Sequence, residues 1–142
     1  MRQFAEYGYA IASIAGFVLL TLGIAPFAGS RKARDGVVPG APPTPDYSNP
    51  TYRLWRAHLN ATEIMGVFVG ATTTAILGGA PPFWVNLLAV VFLFSRVTHA
   101  IVHIGAIGAA NYGPRSLIFV FGWLTCALLA LMAIFSALTK LG

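Results

Sequence analysis

Arg56, Asn60 and Glu63 recur at i, i+4 and i+7, a spacing that places them on one face of a helix. They belong to the stretch Arg53-Leu54-Trp55-Arg56-Ala57-His58-Leu59-Asn60-Ala61-Thr62-Glu63, which opens an apolar run with no further charge as far as Ser95. Arg96, His99 and His103 repeat the pattern at i, i+3 and i+7. A charge within a membrane segment costs about 2.5–3.5 kcal/mol on insertion scales, so such residues turn toward a partner or a polar cavity. Guanidinium groups bind carboxylates and phosphates in a two-pronged geometry that lysine does not reproduce. Arg56, Arg96 and Arg115 together outnumber the one nearby carboxylate, Glu63. That excess points to an anionic ligand rather than to ion pairs that only hold helices together. His99 and His103 also have the i, i+4 spacing of a metal pair, and His58 lies in the neighbouring stretch. Only Glu63 could join them as a ligand, and the surrounding arginines repel a cation, so no metal is expected.

The elements that must position these residues are membrane helices. Of 142 residues, 57% are hydrophobic and 9% charged. A soluble domain has roughly 25% charged residues, which makes the lipid bilayer the expected solvent. The net charge of +5 then reports topology, because Lys and Arg gather on the cytoplasmic side. No soluble basic surface remains for nucleic acid. Cys126 is the single cysteine and sits in an apolar run, which suits a small buried hydrophobe.

Tyr7 to Phe27 is uncharged and long enough to cross a bilayer, which takes about 20 residues. Arg31, Lys32 and Arg34 follow it as a stop-transfer flank, so it reads as a retained span rather than a cleaved leader. Residues 28–50, rich in proline and glycine, read as a cytoplasmic loop. Three further spans are expected over about 51–77, 83–107 and 114–139, with short turns at Gly78–Pro82 and Gly108–Gly113. The result is one all-α, four-helix integral membrane bundle covering residues 1–142. Arg31, Lys32, Arg34, Arg53, Arg56 and Arg115 fall at one end, and Arg2 and Lys140 at the other. The basic loops are therefore expected in the cytoplasm and both termini outside.

Distance from the Gly78–Pro82 turn pairs the two polar faces. At 1.5 Å per residue, Glu63 and Arg96 both lie about 21–22 Å from the turn. Asn60 matches His99, and Arg56 matches His103. The expectation is a ladder between the second and third spans, with Glu63 neutralising Arg96.

The string Arg56-Ala57-His58-Leu59-Asn60-Ala61-Thr62-Glu63 resembles the signature of the MAPEG family, the membrane-associated proteins in eicosanoid and glutathione metabolism. The resemblance extends to Arg96-x-x-His99 and to Pro114-Arg115-Ser116. It implies a homotrimer that binds glutathione between neighbouring subunits near the cytoplasmic face. Arg56, Asn60 and Glu63 would hold the tripeptide, with Arg96, His99, His103 and Ser116 beside them. Arg115, from the adjoining subunit, would favour the thiolate, and Arg31 or Arg34 would complete the site. His103 and Phe119 stand where the family often has tyrosine, and His103 keeps a hydrogen-bonding group. The activity implied is a glutathione-dependent transferase or peroxidase acting on a lipophilic electrophile. The alternative is a non-catalytic lipid-binding or scaffold subunit of the same fold, and a weaker one is a complex subunit whose histidines hold a pigment or haem.

Overall fold

The computed structural model describes residues 2–108 and 113–140. A short α1 (Arg2–Ala5) precedes four long helices: α2 (Gly8–Arg34), α3 (Pro50–Leu77), α4 (Pro82–Ile104) and α5 (Pro114–Leu138). No strand occurs among the described residues. By length and composition α2, α4 and α5 can cross a membrane. At 1.5 Å per residue α3 is about 42 Å long, but its polar first half lowers its hydropathy. The central pair is α3 and α4; each touches the other and both flanking helices, α2 and α5.

Local chemistry sets the helix starts. Pro50, Pro82 and Pro114 each occupy a first position, where the missing N–H is no loss. Asn49 caps α3 by accepting from Thr51 N at 2.8 Å. Tyr7 gives α2 no side-chain cap, so the help comes from α4. Ala10 N donates to Asn86 Oδ1 at 2.9 Å, and Asn86 Nδ2 donates to Glu6 O at 2.6 Å. The α3–α4 turn uses Gly79 at a φ of 64°, a conformation that glycine adopts without strain. Both ends of the chain fasten to this turn. Tyr7 Oη donates to Ala80 O at 2.6 Å, and Lys140 Nζ donates to Gly78 O at 3.0 Å and to Gly79 O at 3.3 Å.

The core has an aromatic centre. Phe68 of α3 and Phe92 of α4 stack with centroids 3.8 Å apart. Phe17 of α2 presents its edge to both, at 5.9 and 5.1 Å, an arrangement that suits the ring quadrupoles. Leu129 and Cys126 of α5 are buried in the same cluster.

Two helix ends differ from the expected ones. Residues 28–34 are helical rather than loop, so the loop is 35–49. No proline interrupts between Pro26 and Pro39, and Arg31, Lys32 and Arg34 lie in the last turn, where cations favour the helix dipole. Pro26 is accommodated inside the helix. The other difference is in α4, which stops at Ile104 rather than near 107. Gly105 follows, and Ala106 turns to a φ of 55°. The expected link at 108–113 falls mostly outside the described residues, as does the Arg2 side chain.

Candidate functional site

At the end of the bundle opposite the Gly78–Pro81 turn, α3, α4, α5 and the loop frame an open cavity of about 270 Å³. It is lined by Arg56 and Asn60 of α3, His99 and His103 of α4, Arg115, Ser116, Phe119 and Val120 of α5, and Tyr47 of the loop. Helical spacing explains the assembly. Arg56 and Asn60 are one turn apart on α3, His99 and His103 one turn apart on α4, and Arg115 and Phe119 one turn apart on α5. Among the described residues, no acidic side chain lines the cavity.

Two arginines shape the wall. Arg115 sits with its guanidinium carbon 4.3 Å from the centre of the Tyr47 ring, a cation–π contact. Arg56, half-buried, pairs with Glu63 through Nη1 and Oε1 at 3.2 Å. Tyr47 also meets the His103 ring edge-on at 5.7 Å. The loop is held in place by Arg53, whose Nη1 donates to Tyr47 O and Ser48 O at 2.8 Å each. Arg53 Nε donates to Ile104 O, the end of α4, at 3.1 Å.

His103 is 3% exposed, and neither ring nitrogen has a hydrogen-bond partner among the described residues. A buried polar group without a partner costs about 1–3 kcal/mol, so His103 has unused bonding capacity beside the cavity. His99 lies one turn away, with ring centroids 5.4 Å apart.

Arg96 does not meet Glu63. It is 3% exposed and turned toward α5. Its Nη2 donates to Ile118 O and Phe119 O, both at 3.1 Å. Its guanidinium carbon lies 5.4 Å from the Phe92 ring centre and 5.2 Å from that of Phe119. Glu63 is half exposed and pairs along its own helix instead. The face that α3 buries carries Ala57, Ala61, Ile64 and Phe68, so Glu63 points away from α4 at the shared depth. Arg96 therefore braces the cavity wall from behind, through Phe119, without lining it.

The other expected site residues divide as follows. Arg56, Asn60, His99, His103, Arg115 and Ser116 share the cavity. Arg31 and Arg34 are exposed in the last turn of α2 and do not line it. Arg115 and Arg56 line the same cavity within one chain.

The sequence profile of the MAPEG family matches residues 8–135. The chain belongs to the MAPEG family. No curated relative matches it. MAPEG proteins include glutathione transferases and peroxidases, and members use glutathione as substrate or cofactor. Against that family pattern, Tyr47 is the cavity residue that sequence reasoning passed over. Its signal was adjacent: Asp46 and Asn49 mark a turn and a helix cap, so an aromatic between them must lie at the mouth of α3. Phe119 and Val120 follow from Arg115 by helical spacing.

Beside the cavity runs an apolar groove of about 860 Å³ between α4 and α5. Its walls include Phe94, Ser95, Thr98, Leu117, Phe121 and Leu124. Val120 belongs to both the groove and the cavity. The two hydroxyls in the groove are occupied by their own helix, Ser95 bonding to Phe92 O and Thr98 to Phe94 O.

Proposed function

We propose that this MAPEG protein is a membrane-bound glutathione transferase or peroxidase, with glutathione in the arginine-lined cavity and a lipophilic electrophile in the adjoining groove. The observation that carries the reading is the cavity itself. It brings two arginines, an asparagine and two histidines together with no carboxylate among its described lining residues, Glu63 pairing with Arg56 from outside, next to an apolar groove that shares a wall with it. A tripeptide with two carboxylates and a thiol fits that chemistry. Arg56 and Asn60 hold carboxylate and amide groups. Arg115 lies in the first turn of α5, where the helix dipole adds to its charge. Together they favour the thiolate of a thiol whose ordinary pKa is about 8.5. The thiolate then attacks a carbon or a peroxide oxygen presented by the groove.

Charge asymmetry supports a cytoplasmic position for this end, where glutathione would arrive from water and the electrophile from lipid. In a homotrimer, as the family resemblance implies, Arg31 or Arg34 would complete the site. Without catalysis, the groove alone would serve a lipid-binding subunit, and its size relative to the cavity is what favours that second reading.

Arg115→Ala tests the assignment. Glutathione should raise the thermal midpoint of the detergent-solubilised parent and of the variant. The variant should lose turnover at neutral pH and regain part of it as pH rises and the thiol ionises unaided. Wild-type turnover in a well-folded Arg115→Ala protein removes Arg115 from the mechanism. Absence of stabilisation of the parent by glutathione leaves the lipid-binding reading standing.

A further inference from the structure

The cavity contains two groups able to accept a proton, and the thiolate reading above leaves the thiol proton without a destination. We propose that the histidine pair of α4, His99 and His103, takes up that proton when glutathione ionises. The proposal rests on glutathione occupying this cavity. Both imidazoles line it. His103 has two buried ring nitrogens with no partner among the described residues. The groups facing the pair are Arg96 from their own helix, Arg115 from α5, Arg53 and Arg56 from α3, and Tyr47 from the loop; the arginines oppose a cation on either ring until the carboxylates and thiolate of the bound tripeptide offset them. Guanidinium and phenol groups ordinarily keep their protons at neutral pH. The imidazoles are the proton acceptors that remain, since Glu63 pairs with Arg56 outside the cavity lining.

In the step, the S–H bond breaks and an N–H bond forms on the imidazole. The sulfur electron pair forms a bond to the electrophilic carbon, and the bond displaced there leaves its pair on the departing or ring-opened atom. The imidazolium returns the proton to that atom or to water, and the pair is ready for another turnover. No net charge enters the cavity during ionisation, because thiolate and imidazolium appear together. Arg115 stabilises the sulfur charge while the histidines hold the proton.

The test measures protons and thiolates separately on the full chain in detergent. The ultraviolet thiolate band counts thiolates formed per bound glutathione. Titration calorimetry in two buffers of different ionisation heat counts protons released. The parent should form thiolate while releasing clearly fewer protons than thiolates. In His99→Gln/His103→Gln the two counts should become equal, or the thiolate band should vanish. The double variant should also lose about 100-fold of kcat/KM at neutral pH, recovering as pH rises, within the range for removal of a general base. One proton released to buffer per thiolate in the parent overturns the proposal while leaving the glutathione site intact, and that measurement needs no variant to fold. Glutathione bound by the parent without a thiolate band overturns it as well. S-methylglutathione, which has no thiol, distinguishes the other failure: if neither it nor glutathione binds, the cavity assignment falls, and the proton path with it.

Discussion

Gly122→Ala should be among the most damaging single-methyl additions in this chain. A Cβ at Gly122 would collide with the Arg96 guanidinium and lie 2.6 Å from Ser95 Oγ. Arg96 would have to leave its place and give up its bonds to Ile118 O and Phe119 O. Hydrogen bonds from a charged group contribute about 1.5–3 kcal/mol each, so the two together are of order 3–6 kcal/mol. Replacing glycine by alanine within a helix returns about 1 kcal/mol. The net loss is about 2–5 kcal/mol. The assay is unfolding of the detergent-solubilised protein, with Gly23→Ala as control, because a Cβ there meets nothing within 4 Å. Repeating Gly122→Ala in an Arg96→Met background isolates the cause. There the methyl should cost far less, since the flexible thioether can yield. Gly122→Ala as stable as the control, or equally costly with and without Arg96, refutes the view that this glycine exists to admit the guanidinium.

Asn86→Leu should destabilise by about 1–3 kcal/mol, because it strands the Ala10 N–H and Glu6 carbonyl that the amide serves; thermal unfolding and hydrogen exchange at Ala10 check it. Asp46 gives a pH dependence in the loop. The Ser48 hydroxyl and amide donate to its carboxylate, and with the Arg53 charge they hold the group below its usual range. Its contribution to loop order should therefore be complete above the unfolded carboxylate pKa of about 3.9. It should be lost as pH falls through the lower folded value. Protection of the Ser48 amide should follow that course, and Asp46→Asn should flatten it.

The sequence made the bundle legible because its signals are axial. Charge-free runs mark spans, prolines mark starts, and counting from a turn fixes how deep a residue lies. Depth correctly brought Arg56, Asn60, His99 and His103 to one level, and all four line the cavity. It misled for Glu63 and Arg96, because depth does not fix rotation about the helix axis. Which face α3 turns to α4 is set by Ala57, Ala61, Ile64 and Phe68. Glu63 follows Thr62 on the other side, while Arg96 turns to the space left by Gly122 on α5. A close approach across two helices leaves no local mark. Residues 28–34 failed for a different reason: the basic flank was read as the edge of the span, although a helix continues beyond the hydrocarbon wherever its backbone has no reason to stop.

The fastening of the α3–α4 turn has a bearing on the order in which the molecule can be made. Tyr7 reaches Ala80 and Lys140 reaches Gly78 and Gly79, so the segments just before α2 and just after α5 are both tied to the α3–α4 turn. During synthesis the first tie can close once the hairpin has emerged, but the second must wait for Lys140, after α5. Until then α5 is held through Arg96, which bonds Ile118 O and Phe119 O beside the cavity, and not at the turn. The tie remote from the cavity is thus the later one to form, and Lys140→Met should loosen that end of α5 while leaving the wall that Arg96 holds in place.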